Sequence, residues 1–215
     1  MGALSLDAFR TLANDGAVPL DLRPPHQFAE GHLPGSLCLQ FGRHDLGERA
    51  ALALPRERRY VLVMDPPALG PIAERLLTQA GFRVEGHLAG GVAAWSGETS
   101  LGRLATTDAA GARREMEEGG ARMLDVREGF EFQWGHVEGA QNIPHGEVWG
   151  QLGELDPTAR WLVLCNDQVR SGLAASLLLR EGFQDVTLVL GGIGAWTEAG
   201  YPLVQPAQQA SGRSR

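Results

Sequence analysis

Leu124-Asp125-Val126-Arg127, continuing to Gly135-His136-Val137-Glu138-Gly139, repeats an earlier stretch at a distance of 104 residues. That stretch runs from Leu20-Asp21-Leu22-Arg23 to Gly31-His32-Leu33-Pro34-Gly35, and seven of the sixteen positions are identical. A second block repeats at an offset of 101: Ala80-Gly81-Phe82 with Gly90-Gly91-Val92-Ala93-Ala94-Trp95 matches Glu181-Gly182-Phe183 with Gly191-Gly192-Ile193-Gly194-Ala195-Trp196. A period near 100 residues means a duplicated domain, since solenoid repeats are much shorter. The copies meet in a polar stretch from Ser96 to Gly102. The expected domains are 1–98 and 103–204, followed by a polar, flexible tail at 205–215.

Each copy alternates short apolar strands with helices. In the second, Asp108 to Glu118 reads as a polar helix and Arg122 to Val126 as a strand. Trp161-Leu162-Val163-Leu164 is an uninterrupted apolar run, the pattern of a buried parallel strand. Ser171 to Glu181 carries Leu173, Leu177 and Leu178 at helical spacing and stops at Gly182. Asp185 to Leu190 is a further strand, and the first copy repeats the scheme with Tyr60 to Met64 and a helix over Pro71 to Ala80. Such alternation predicts two α/β domains, each a parallel sheet covered by helices on both faces.

Composition narrows the chemistry. With 26 acidic and 19 basic residues the formal charge is −7, which argues against a general nucleic-acid binder. Every one of the 19 cations is arginine, because the sequence contains no lysine. That absence excludes lysine Schiff bases, lysine general bases and P-loop NTPases. No apolar run approaches the length that spans a bilayer, and the amino end lacks the pattern of a signal peptide. A cytoplasmic protein with no membrane partner is expected. Two cysteines, Cys38 and Cys165, are too few for a disulfide framework.

Ligands of open α/β sheets collect beyond the carboxyl ends of the strands. In the second copy that position holds Cys165-Asn166-Asp167-Gln168-Val169-Arg170, between a buried strand and a helix. Backbone N–H groups of a tight loop, the positive end of the following helix and the Arg170 cation would converge on the sulfur. Together they favour the nucleophilic thiolate near neutral pH, and they would also hold an anionic substrate. On the loop alone, Cys165 reads equally well as a small apolar plug at a strand end.

The whole frame of the second copy resembles the rhodanese (sulfurtransferase) family. The resemblance is carried by Leu124-Asp125-Val126-Arg127, Glu131-Phe132, Gly135 to Ala140, Asn142-Ile143-Pro144, the Cys165–Arg170 loop with Ser171, and Gly191-Gly192 with Trp196. It implies a five-stranded parallel sheet flanked by helices and a cysteine, Cys165, that carries sulfur as a persulfide. Asn166, Asp167, Gln168, Val169, Arg170 and Ser171 would then bind a small anionic donor such as thiosulfate, with cyanide or a thiol as acceptor. Arg127 and Trp134 are candidates for a second layer around the loop. No cofactor is implied. The family loop is commonly C-x-x-G-x-R-[ST]; Gln168 replaces its glycine here, and Asp167 brings a negative charge to a loop meant for anions.

The first copy resembles the same family without the chemistry: Met64 stands opposite Cys165 and Leu69 opposite Arg170, while Pro66-Pro67 removes two backbone donors. It is expected to be inactive. Cys38 reads as a packed core thiol. His32 and His136, the Asp21–Arg23 and Asp125–Arg127 pairs, and Trp95 and Trp196 recur in both copies and so read as structural. Trp134 and Trp149 lack counterparts and are candidates for a substrate mouth. No histidine or cysteine spacing suggests a metal site. Two other functions stand beside sulfur transfer: a cysteine-dependent phosphatase, disfavoured because only four residues separate Cys165 from Arg170, and a non-catalytic binding or regulatory module.

Overall fold

The computed structural model describes residues 2–95 and 100–205. Among the described residues, ten strands form two sheets. The first contains β1 (Ala3–Leu4), β2 (Val18–Asp21), β3 (Leu37–Cys38), β4 (Arg59–Val63) and β5 (Arg83–Leu88). The second contains β6 (Ala105–Thr107), β7 (Arg122–Asp125), β8 (Gln141–Asn142), β9 (Arg160–Leu164) and β10 (Asp185–Val189). Their orders are β1-β5-β4-β2-β3 and β6-β10-β9-β7-β8, and every pairing is parallel. The duplication read from the sequence is thus a duplication of topology, strand for strand. The central strands β4 and β9 are buried from their second residue on, as their unbroken apolar runs require.

Helices complete the layers: α1 (Leu6–Asn14), α2 (Pro25–Glu30), α3 (Leu46–Ala53) and α4 (Gly70–Gln79) in the first copy, α5 (Ala109–Glu117), α6 (Gly129–Trp134), α7 (Val169–Arg180) and α8 (Gly192–Glu198) in the second. Asp108, expected inside a helix, is instead the cap of α5, its carboxylate accepting the Gly111 N–H at 2.7 Å. No helix among the described residues is long and apolar enough to cross a membrane.

The recurring residues form the same local devices in both copies. The His32 ring stacks on Phe28 at 3.9 Å and the His136 ring on Phe132 at 3.7 Å, each with Nδ1 against the carbonyl of its stacking partner. His32 bridges Gly102 and His136 bridges Val204, so the chain stays attached to each sheet past its last helix. Leu101 also packs on the first copy's core, beyond the boundary expected at residue 98. The tail expected at 205–215 lies almost wholly outside the described residues.

Helix α7 joins the two halves. All residues from Ser171 to Leu178 are buried, whereas α4 buries only Gly70, Ala73, Glu74 and Leu77. A helix buried all round needs an apolar neighbour on every side. Its own sheet covers one side of α7, and β3 of the first copy covers another. There the Cys38 N–H donates to Ser176 Oγ at 2.8 Å, and the Arg180 guanidinium donates to the Gly35 carbonyl. The approach depends on Gly172, where a Cβ would lie 3.1 Å from Pro25 and 3.5 Å from Cys38 Sγ. A single apolar cluster consequently runs from Leu20 and Leu62 through Cys38 to Leu124, Val163 and Leu188. Cys38 is fully buried in it, and burial pushes its thiol well above the ordinary range.

Candidate active site

Cys165 follows directly on the carboxyl end of β9 and is fully buried. Its carbonyl accepts the Ile193 N–H at 2.9 Å, tying the loop to the start of α8. The turn before α8 can come this close only because Gly192 (φ 55°) has no side chain: a Cβ there would lie 2.6 Å from the Asn166 carbonyl oxygen and would also strike that of Cys165. Gly91 does the same over Met64 in the first copy, with a Cβ position 2.8 Å from its carbonyl oxygen. The duplicated Gly-Gly pairs therefore serve close backbone approach.

Two N–H donors and a hydroxyl converge on Cys165 Sγ. The Gln168 N–H lies at 3.2 Å, the Ser171 N–H at 3.4 Å and the Ser171 hydroxyl at 3.2 Å. They stand at the first turn of α7, which starts at Val169, two residues earlier than the hydrophobic spacing suggested. The earlier start comes from Gln168, whose φ of 78° makes it the single non-glycine residue in the left-handed region among those described. The backbone thus keeps the shape a glycine would give, at a cost of about 1–2 kcal/mol for a residue with a Cβ. Gln168→Gly should preserve the loop and raise the unfolding free energy by about 0.5–1 kcal/mol in urea titration. A loss of stability would show instead that the glutamine side chain holds the loop.

The charged groups are arranged differently from the expectation. Asp167 is exposed, but its Oδ1 accepts the Val169 N–H at 3.2 Å and lies 3.8 Å from Sγ, as an acceptor for the thiol. Arg170 donates to Glu131 through two nitrogens, NH1 to Oε2 at 2.5 Å and NH2 to Oε1 at 3.0 Å. Asn166 Nδ2 donates to the same Oε1 at 2.7 Å, and the Glu128 N–H to Oε2 at 2.9 Å. Hydrogen bonds from Arg170 hold the Glu131 carboxyl down at about 2. Glu131, on α6, is the residue that reading the loop alone missed. The signal was in the repeat: its counterpart in the first copy is Gln27, just as Leu69 is the counterpart of Arg170. The carboxylate and the guanidinium are present together in one copy and absent together in the other.

Arg127 sits behind the loop, its NH1 donating to the Glu131 carbonyl at 3.4 Å. It is buried, with Nε and NH2 on the Asp125 carboxylate at 2.6–3.0 Å and NH2 also on the Gly135 carbonyl at 2.9 Å. Arg23 repeats this arrangement with Asp21 and Gly31. Both arginines fasten the short helix after their strand, which in the second copy carries Glu131. Trp134, the other candidate for a layer around the loop, is 74% exposed and meets Phe130 edge-on at 5.3 Å. Trp149 faces the first copy, where Arg58 lies over its ring at 5.8 Å. His145, by contrast, is close to the site, with Nδ1 3.4 Å from Glu128 Oε1, and burial lowers its pKa.

A cavity of about 380 Å³ opens over the loop. Asn166, Asp167, Val169 and Arg170 form one wall, and Gln40, Phe41, Gly42, Asp45 and Arg49 of the first copy form the other. At the matching end of β4 the first copy offers Met64, buried, followed by Pro66, a short 3-10 turn over Pro67–Leu69 and then Gly70. Its sulfur is a thioether, and its two prolines have no N–H to donate.

A family model described as a rhodanese-like domain matches the chain twice, over residues 5–98 and 108–199. The chain is 35% identical over 78 residues to the thiosulfate sulfurtransferase GlpE of Shewanella oneidensis, covering 36% of this chain and 77% of that protein. It is 31% identical over 101 residues to the thiosulfate sulfurtransferase GlpE of Pseudomonas aeruginosa, covering 47% of this chain and 87% of that protein. Among solved structures it is similar to a thiosulfate sulfurtransferase from Pseudomonas aeruginosa (26% identity, 95% of this chain and 41% of that chain, TM-score 0.44). A rhodanese-related protein from Thermoplasma volcanium is similar too (32% identity, 47% of this chain and 98% of that chain, TM-score 0.44). Two copies of one topology, matched along nearly their full length by one family model, make this chain a tandem member of the rhodanese-like domain family.

Proposed function

We propose that the chain is a sulfurtransferase in which Cys165 of the second domain carries a sulfane sulfur as a persulfide, and that the first domain is non-catalytic. The observation that carries this reading is the convergence of the Gln168 N–H, the Ser171 N–H and the Ser171 hydroxyl on one cysteine sulfur at a strand end. Donors so placed stabilise negative charge on sulfur both before transfer and after it. A buried cysteine serving only as an apolar plug needs none of them.

The reaction divides into two steps. The Cys165 thiolate attacks the outer sulfur of a donor such as thiosulfate. The donor's S–S bond breaks, its electron pair leaves with sulfite, and a new S–S bond joins the transferred sulfur to Cys165. A second nucleophile, cyanide or a thiolate, then takes the outer sulfur and returns Cys165 to the thiolate. Glu131 occupies two of the five N–H groups of Arg170. The others are available to a sulfonate in the cleft. Because Sγ is fully buried, the donor's outer sulfur reaches it only when the Asp167 side chain or the loop around it shifts.

The test sets two activities side by side. Thiosulfate with cyanide should yield thiocyanate, while p-nitrophenyl phosphate under the same conditions stays intact. Phosphate release without thiocyanate would overturn the proposal in favour of cysteine-phosphatase chemistry.

A further inference from the structure

The cavity over the loop belongs to both domains, and its charges are mixed on both sides. The second domain contributes Arg170 and Asp167, and the first contributes Arg49 and Asp45. Glu131 adds a further negative charge behind Arg170. A ligand of one sign therefore meets repulsion on each wall, whereas a ligand bearing both signs finds a partner for each. The volume of about 380 Å³ suits a small molecule.

Arg49 is built to face this space. Its NH2 donates to the Gln40 carbonyl at 2.6 Å and to Asp45 Oδ1 at 3.2 Å, which fixes the side chain at 19% exposure. Its Nε is buried and makes no hydrogen bond among the described residues, although Asp45 Oδ2 lies 3.0 Å away. Gly42 makes room for the Arg49–Asp45 pair: a Cβ there would strike Asp45 Oδ1 and lie 2.6 Å from Arg49 NH2. A domain without a thiol at the matching strand end thus supplies a fixed guanidinium to the cleft of the domain that has one.

We propose that this cleft is the acceptor subsite for a small amino-acid thiol, with Arg49 of the first domain taking its carboxylate and Asp167 of the loop its ammonium. The inference rests on the reading of Cys165 as the sulfur carrier. In the transfer step the acceptor thiolate attacks the outer sulfur of the Cys165 persulfide. The S–S bond to Cys165 breaks as the new S–S bond forms on the acceptor, and the electron pair returns to Cys165 as thiolate. One sulfane sulfur is exchanged between thiols, so no external oxidant or reductant is needed.

Two arms test the subsite on the full chain. In the first, protein loaded with thiosulfate and checked for one added sulfur by intact mass is discharged with cysteine and, separately, with 2-mercaptoethanol. The expected result is a preference for cysteine that falls about tenfold in Arg49→Gln and is partly restored in Arg49→Lys. An equal effect of Arg49→Gln on both thiols, or none, overturns the proposal. In the second arm, S-methylcysteine, which cannot accept sulfur, is titrated calorimetrically. Binding to the wild type that weakens about tenfold in Arg49→Gln supports the subsite, and no binding, or equal binding to both proteins, overturns it. Wild-type protein that binds S-methylcysteine but gains no sulfur would sink the persulfide reading and leave the subsite standing, so the two failures are distinguishable.

Discussion

Replacing Cys165 with Ser is expected to abolish sulfur transfer and to leave the fold intact. The substitution is nearly isosteric, and a hydroxyl can still accept the N–H groups of Gln168 and Ser171 that now point at Sγ. It neither opens a large cavity nor strands a donor, the two usual causes of severe destabilisation, so the stability change should stay within about 1–2 kcal/mol. The serine oxygen does not ionise near neutral pH and forms no persulfide, so the covalent route disappears rather than slowing. Thiocyanate production should fall by at least about 10³-fold while the urea midpoint moves little. The other thiol gives no alternative route: Cys38 is fully buried at the domain junction, and burial keeps it protonated. Surviving activity within about tenfold of the wild type would remove Cys165 from the mechanism.

The second large effect is expected at Glu131. Hydrogen bonds from Arg170 hold its carboxyl at about 2, so it is ionised throughout the neutral range. A carboxyl lowered in the folded state contributes stability that is present above its unfolded value of about 4.3 and is lost as the pH falls through the folded value. The Glu131–Arg170 pair therefore holds down to mild acid and loosens between about 4 and 2. At working pH it offsets the one cation of the loop, and with Asp167 nearby a dianion such as thiosulfate meets a net negative wall. Glu131→Gln removes that charge and keeps one acceptor oxygen for Asn166 and one Arg170 nitrogen, while its amide nitrogen takes the place of the acceptor for the other Arg170 nitrogen and the Glu128 N–H. The KM for thiosulfate should drop by about fivefold, the equivalent of about 1 kcal/mol for one unit charge at such range in a partly hydrated site. Lowering the pH from 7 to 5 should not reproduce the gain, because the carboxyl stays ionised there. A KM that rises in Glu131→Gln would mean that the carboxylate holds Arg170 in its binding pose.

The fold was legible because the sequence states it twice. Residues that recur in both copies, such as Asp125 and Arg127 or His136 on Phe132, make the same contacts in each, which is why recurrence marks structure. Chemistry lies where the copies differ: Cys165 against Met64, Arg170 against Leu69, Glu131 against Gln27. The first two differences stand in one short loop and could be read directly. Glu131 lies 39 residues upstream of Arg170, and only the docking of α6 beside the loop brings the two together. Of the two residues expected in a layer around the loop, Arg127 reaches the Glu131 carbonyl behind the Arg170 pair, and Trp134 lies exposed on a six-residue helix. The wall formed by Gln40 to Arg49 was not legible at all, because it depends on how α7 packs on β3.

The most direct test of the account is the intact mass of the protein after incubation with thiosulfate, before and after cyanide, beside Cys165→Ser. A Cys165 persulfide carrier should gain one sulfur atom that cyanide removes and that the variant never shows. A wild-type protein that gains no sulfur, or a Cys165→Ser protein that gains it equally, would contradict it.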